Sequence, residues 1–346
     1  MNQILLDIYY NMLFIRRVQE SIISNYHPED KMRCPMHLCS GQELTPSILG
    51  TLLNKQDSIW SHHRSHGYFL SKKGSLNEML SEFYGKENGT NGGIAGSQEL
   101  SCTKTNFYSG TILSGAFSFA AGDAYAKKYS RSNSIAVTVI GEGGMEEGIV
   151  FETLNLASLM SLPVLFICEN NKYSVHTNIS ERQANNKIIN RVKSFGVEAY
   201  TLNQNKPYEN YQKIKKSVEN IRKNKKPVFI EVETYRFAPH VGPENDDHWG
   251  YRSKKELDYW VSKDPLMLLN KNLNKSYKNF DKIQNNYEKK ILNLITKAFN
   301  IARSSNFPTK YENFNISDTY SPIIKSFYKN EIFTEKDQDY HNPAPY

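Results

Sequence analysis

"IAVTVIGEGGMEEGIVFETLNLASL", residues 135–159, is the stretch whose reading decides the fold. "IAVTVI" (135–140) is a β-branched apolar run of strand length with no polar face, the pattern of a strand covered on both sides. Three glycines and three acids then fall between 141 and 147, and helical spacing takes over to about 160. Strand, glycine turn and helix make the first half of a crossover unit. The pattern repeats downstream: "PVLFICE" (163–169), a helix near 181–193, "VEAYTL" (197–202), a helix near 208–224 and "PVFIEVETYR" (227–236). Such alternation predicts an α/β fold with a doubly wound, mainly parallel sheet flanked by helices.

Around this centre, "GTILSGAFSFAAGDAYAKKY" (110–129) carries small residues on one face and reads as a tightly packed central helix. The first hundred residues read as mostly helical with glycine-rich connections. From about 253 onward amphipathic helices return, with a loosely patterned tail after 306. The expected division is an α/β domain over 1–270 and a helical extension over 271–346, the latter packed on a partner.

Composition narrows the function class. In 346 residues, 39% of them apolar, no run approaches the length needed to span a bilayer. The amphipathic N-terminus, with acids and arginines, is unlike a signal peptide, so the expected location is cytoplasmic. The net charge of +7 comes from lysines scattered among asparagines and tyrosines, not from a compact basic stripe, and this argues against nucleic acid. Of the four cysteines only Cys34 and Cys39 are close in sequence, and the second pair a structural zinc site requires is missing.

The chemistry begins at "GEGG" (141–144). Open parallel sheets bind ligands beyond the carboxyl ends of their strands, and glycines there let backbone approach a phosphate closely. A carboxylate beside a phosphate repels it unless a cation lies between them, and an oxygen-liganded Mg²⁺ resolves the conflict. "ENNKY" (169–173), at the end of the next strand, supplies neutral oxygen donors from Asn170 and Asn171 and a carbonyl from Tyr173. Alone, "GEGG" also fits an ordinary tight turn in which Glu146 and Glu147 favour the first turn of a helix. The pairing is the stronger signal, with 26 residues between the Gly-acid-Gly turn and Asn-Asn.

That pairing resembles the thiamine diphosphate fingerprint. From about 10 to 310 the chain is similar to the alpha subunits of thiamine-dependent 2-oxo acid dehydrogenases of the pyruvate, branched-chain and acetoin types. The blocks that carry the resemblance are "HLCSGQEL" (37–44), "HHRSHGYFLSKKG" (62–74), "GGIAGSQ" (92–98), "NFYSGTILSGA" (106–116), "LPVLFICENNKYSVHT" (162–177), "ETYRFAPH" (233–240) and "GYRSKKELDYWVSKDPL" (250–266), with 140–157. The resemblance implies Mg²⁺ held by Glu142, Asn171 and the Tyr173 carbonyl, and a diphosphate on the amides of Gly143 and Gly144. It implies Arg64 as a diphosphate clamp, with His63 beside it, and backbone from Ile112 to Ser114 against the aminopyrimidine. His37, His66 and His240 match histidines that face the reacting carbon, where donors and a proton relay near neutral pH are needed. The carboxylate that activates the coenzyme belongs in this family to a separate beta subunit, so an α2β2 heterotetramer is expected.

The implied reaction is oxidative decarboxylation of a small, pyruvate-like 2-oxo acid, with acyl transfer to a lipoyl group on an acyltransferase partner. Departures from the family pattern leave two other readings open, a carboligase or aldehyde transferase acting on a carbonyl or sugar, and a non-catalytic paralogue. Glu142 stands where the metal turn usually has Asp. His63 replaces a tyrosine and Glu99 a histidine. Pro239, Val241 and Gly242 alter the loop that in mitochondrial members carries a regulatory serine, so phosphorylation there is not expected. Glu244, Asp246 and Asp247 at the pocket mouth should disfavour highly anionic substrates.

Overall fold

The run at 135–140 is the middle strand of the sheet in a computed structural model that describes residues 2–308 apart from 28, 29, 33 and 245. The strands are β1 (Ser58–Ser61), β2 (Ser101–Cys102), β3 (Phe107–Ser109), β4 (Ala136–Gly141), β5 (Val164–Asn170), β6 (Tyr173–Ser174), β7 (Thr177–Asn178), β8 (Glu198–Asn203) and β9 (Val228–Glu233). Seven form one sheet in the order β2-β3-β1-β4-β5-β9-β8, and β6 and β7 form a small separate ribbon. Every pairing in the large sheet is parallel except β2 with β3.

Alternate residues of the central strands feed two cores. Val137, Val139, Leu165, Ile167, Val228, Ile230 and Val232 pack on one face with the helices Asn2–Asn25, Leu44–Leu52, Pro207–Asn224 and Phe280–Ser304. Ala136, Ile140, Val164, Phe166, Cys168 and Phe229 pack on the other with Gly115–Tyr129 and Gly148–Leu159. With both faces covered, each fully buried Val, Ile or Phe contributes about 1.5–3 kcal/mol, which is why these strands read as mainly apolar runs. In Gly115–Tyr129 the buried positions are Phe117, Ala120, Ala121 and Ala124, and the alanines bring the helix close to the sheet.

The structure departs from the sequence reading at two strands and one helix. β1, "SIWS", was not expected; it is four residues long, yet it pairs with β4 from Ser58–Ala136 to Ser61–Val139. The helix expected over 181–193 is split into Ile179–Arg182 and Ile188–Lys193, with the Asn185 side chain accepting from the Lys187 N–H in the break, an alternative to helical pairing. β9 stops at Glu233, its last partner being Asn170, so Arg236 turns into the site instead of continuing the strand. The boundary drawn at 270 falls inside the helix Pro265–Ser276, whose Leu266, Leu269 and Leu273 share a core with Ile8, Met12 and Ile15 of the N-terminal helix. The tail beyond 308 lies outside the described residues.

One buried ionic network ties the N-terminal helix to the loop carrying the first pocket histidine. Arg16 donates to both oxygens of Glu43, at 2.5 and 3.0 Å, and to Asp264 at 2.8 and 3.1 Å; Glu43 also accepts the Gly41 N–H. Glu43 has no exposed surface. Glu43→Ala leaves Arg16 half-paired in the interior and should cost about 3–5 kcal/mol, read as a lower urea midpoint. An unchanged midpoint would contradict this role.

Candidate active site

The carboxyl ends of β4 and β5 lie side by side, Gly141 opposite Glu169, and they deliver Glu142 and Asn171 to one place. Glu142 opens a short 3₁₀ turn, Glu142–Glu146, and is 1% exposed. Burial raises the pKa of its carboxyl group against the lowering effects of Arg182 and of the backbone N–H groups of Glu142 and Asn171. Arg182 Nη2 donates to Glu142 Oε1 at 2.8 Å, and its Nη1 pairs with Glu146. Asn171 is buried, and its Oδ1 accepts the Tyr173 N–H at 3.1 Å across Lys172, a left-handed residue with φ +72°.

The glycines at this corner have different causes. A Cβ on Gly143 would lie 2.6 Å from Ser174 Oγ, and one on Gly144 would lie 2.9 Å from Ser114 Oγ, so packing of the loop already excludes a side chain at both. On Gly141 a Cβ would meet no protein atom within 4 Å, and Gly141 lines a cavity. Its absent side chain leaves room for a ligand. Ser114 enters the helix Gly115–Tyr129 with φ +60° and donates its hydroxyl to the Gly144 carbonyl at 2.7 Å, which joins the two loops.

The cavity, of about 240 Å³, is lined by Glu142, Gly143, Gly144, Asn171, Tyr173 and Ser114 and also by Arg64, Arg236 and several histidines. Arg64 is buried and donates to the carbonyls of Leu38 and His240, at 2.6 and 3.1 Å. Its pKa is lowered to about 9 by burial and by repulsion from Arg236. Arg236 is 2% exposed, spends one N–H on the Val175 carbonyl and leaves Nη1 without a partner. Two buried guanidiniums side by side, with the Arg236 Nη1 unpaired, call for an anion. Hard oxygen donors from Glu142, Asn171 and Tyr173 beside them suit Mg²⁺, so the residues present fit a magnesium-diphosphate group.

His37, His63 and His240 gather at the same cavity, with ring centroids 4.6, 5.2 and 5.7 Å apart. Burial, reinforced by Arg64, lowers the pKa of His37 and His240 to about 2, and that of His63 is also lowered by burial first and then by His62 and Arg64. All three are neutral at pH 7. His66 is not with them: it is fully buried, does not line the cavity, packs on Phe83 and has Nδ1 3.2 Å from Gln19 Oε1. Ile112 also stands apart, with 77% of its surface exposed, while its neighbours Thr111 and Leu113 line the cavity.

His66 gives a pH prediction free of the site. Burial lowers its pKa from 6.5 to about 3, so below 6.5 the unfolded chain binds protons that the folded chain refuses. Stability is whole above about pH 6.5 and falls on acidification, by up to about 1.4 kcal/mol per pH unit for each such ring. His66→Asn should flatten the loss between pH 6 and 4 in urea unfolding. An equally steep loss would contradict a neutral His66.

Several site residues escaped the sequence reading. Glu169 lines the cavity and accepts from Tyr68 Oη at 2.7 Å and Gln42 Nε2 at 3.1 Å, with His62 Nε2 at 3.4 Å; the strand pattern had absorbed it. Arg236 is visible in the sequence only as a member of longer motifs, and Arg182 only as a residue of the helix expected over 181–193. Glu82, 1% exposed, accepts four backbone N–H groups, from Asn91, Gly93, Ala95 and Gly96, at 2.7–3.1 Å, and so fixes the loop that carries Gln98 beside His37. Glu82→Gln sets an amide donor against those donors and should cost about 3 kcal/mol and open 89–99 to proteolysis. Undiminished stability would refute it.

The acidic mouth expected at 244–247 needs correction. Asp246 is 2% exposed and paired with Arg252 at 2.9 Å and with the Tyr251 hydroxyl, so its charge is spent inside the loop. Glu244 is exposed, and the side chain of Asp247 lies outside the described residues. Glu99 sits at the rim, accepting from Thr111 Oγ1 at 2.7 Å.

Comparison with known proteins places this geometry in context. Residues 10–310 match the family described as dehydrogenase E1 component. The chain is 29% identical over 312 residues to the pyruvate dehydrogenase E1 component subunit alpha of Rickettsia bellii, covering 87% of this chain and 92% of that one. It is 32% identical over 258 residues to the subunit of the same name from Rickettsia prowazekii, covering 74% and 78%. The corresponding subunit of Rhizobium meliloti is 28% identical over 322 residues, covering 92% and 89%.

Proposed function

The chain belongs to the dehydrogenase E1 component family, as a thiamine-dependent 2-oxo acid dehydrogenase alpha subunit, and from that premise we propose that its cavity holds magnesium and thiamine diphosphate for decarboxylation of a small, pyruvate-like 2-oxo acid. The observation that carries the proposal is the meeting of Glu142 and Asn171, at adjacent strand ends, with two buried arginines, one of them with an unpartnered Nη1, in one cavity. Glu142, Asn171 and the Tyr173 carbonyl would hold the metal. Gly143, Gly144, Arg64 and Arg236 would hold the diphosphate, and backbone at Ile112–Ser114 would meet the pyrimidine. When bound, the coenzyme supplies the carbon nucleophile and the electron sink for loss of CO₂.

The side chains around it have their own work. Neutral His37 and His240 would donate hydrogen bonds to the substrate carboxylate and to the oxygen that gains charge as its carbonyl is attacked, and would supply the proton that oxygen takes up. His63 adds a third neutral imidazole. Arg64 fixes the loops of His37 and His240 at once, through the carbonyls of Leu38 and His240. Low dielectric in the cavity strengthens each of these contacts.

A beta subunit supplying the activating glutamate, in an α2β2 assembly, and a lipoyl-bearing acyl acceptor complete the proposal. The surface supports a partner beside the cavity. Ile112, Leu113, Phe119, Tyr129, Leu156 and Leu159 are 49–77% exposed, or 84% for Tyr129, on and before the helices Gly115–Tyr129 and Gly148–Leu159. So much open apolar surface marks an interaction face. The test is decarboxylation of labelled pyruvate by this chain alone and with its companion subunit, with lipoamide as acceptor. Activity only in the pair is expected, and equal activity from the chain alone would overturn the assembly.

A further inference from the structure

We propose that His37, His63 and His240 form a chelating site for one borderline-soft divalent cation, Zn²⁺ or its spectroscopic substitute Co²⁺, distinct from the Mg²⁺ position at Glu142 and Asn171. Ring nitrogens of the three residues lie within 4.8 Å of one another, and among the described residues these three form the histidine cluster that can hold a metal. Bonds of about 2.0–2.1 Å to a tetrahedral ion need the nitrogens closer, by an ångström or more. That closure takes rotation about the side-chain bonds of three residues on three separate loops: His37 before the helix Leu44–Leu52, His63 after β1 and His240 after β9.

The donor set selects the ion. Three imidazoles and an open fourth position facing a cavity suit zinc, whereas Mg²⁺ prefers the oxygen donors across the same cavity. The rings are neutral at pH 7, so their lone pairs are available. Gln98, whose Nε2 lies 3.0 Å from His37 Nδ1, is placed to orient that ring; turned about its amide it accepts the proton of the nitrogen that does not bind, the arrangement usual for metal-bound histidine. Arg64 and Arg236 oppose a dication, while Glu142 and Glu169 line the same cavity and offset them. His63 is the residue that turns a pair of histidines into a trio. A bound ion would cap the two histidines that face the substrate, so zinc would inhibit competitively with the 2-oxo acid. The site itself does not depend on the thiamine reading.

The experiment uses the full chain, stripped of metal, titrated with Co²⁺ and with Zn²⁺ against a chromophoric chelator. Expected are one ion per chain, visible d–d bands of four-coordinate cobalt that zinc abolishes, and affinity lowered on the order of 100-fold in His63→Tyr, with His66→Asn unchanged as control. His63→Gln, smaller and still neutral, guards against misfolding of the tyrosine variant, and thermal melting verifies both. No stoichiometric binding by the wild-type chain, or equal affinity in the folded His63 variants, overturns the proposal. Failure of thiamine diphosphate to bind would sink the functional reading and leave this one standing.

Discussion

Glu142→Gln is expected to weaken Mg²⁺ binding by about 100-fold and to remove the magnesium dependence of thiamine diphosphate affinity. The carboxylate is the single anionic donor among the three proposed ligands, and an amide cannot supply its charge to an ion that sheds water reluctantly. Arg182 reaches Glu142 at 2.8 Å and also pairs with Glu146. Loss of the charge at 142 leaves Arg182 paired with Glu146, so the fold should survive and the defect should be confined to binding. The check is the thermal shift produced by coenzyme with and without Mg²⁺. At a ligand concentration 100 times its dissociation constant the wild type gains about 2.7 kcal/mol, and the variant should gain almost none. A full magnesium-dependent shift in Glu142→Gln would contradict the assignment.

Arg236→Met should act with opposite signs on affinity and stability. Arg236 is buried with Nη1 unpaired, and burial lowers its pKa, both costs to the folded chain. Methionine fills much of the volume without the charge, so unliganded stability should hold or rise. A diphosphate loses a charge-assisted hydrogen bond of about 1.5–3 kcal/mol, a 10- to 100-fold weaker affinity. Melting curves with and without the coenzyme measure both. A variant that melts lower and binds as tightly as the wild type would make Arg236 structural.

Which parts of this were legible in the sequence follows from how locally each is encoded. Strands β4, β5 and β9 are legible because burial on both faces makes them mainly apolar and β-branched, and the turn at 141–144 because a glycine-rich corner with an acid is chemically odd. Glu142 and Asn171 could be paired since both sit at strand ends whose adjacency the fold class dictates. β1 was hidden because four residues, one of them a tryptophan and two of them serines, carry no periodicity; the partners on both sides make it a strand. Arg236 and Glu82 were hidden for another reason. Their roles depend on which backbone groups lie across space, the Val175 carbonyl for one and the amides of 91–96 for the other, and no local pattern records that. His66 shared a motif with Arg64, yet it begins the helix His66–Ser71 and is turned into the core, so proximity in sequence did not bring it to the cavity.

The central claim is that a metal ion between the loops after β4 and β5 anchors the diphosphate. Crystals of this chain with its companion subunit, grown with thiamine diphosphate and with Mn²⁺ in place of Mg²⁺, test it through the anomalous signal of manganese. One peak in contact with the Glu142 carboxylate, the Asn171 side chain and the Tyr173 carbonyl is the predicted result. Coenzyme bound without a peak there, or a peak elsewhere in the chain, would contradict it.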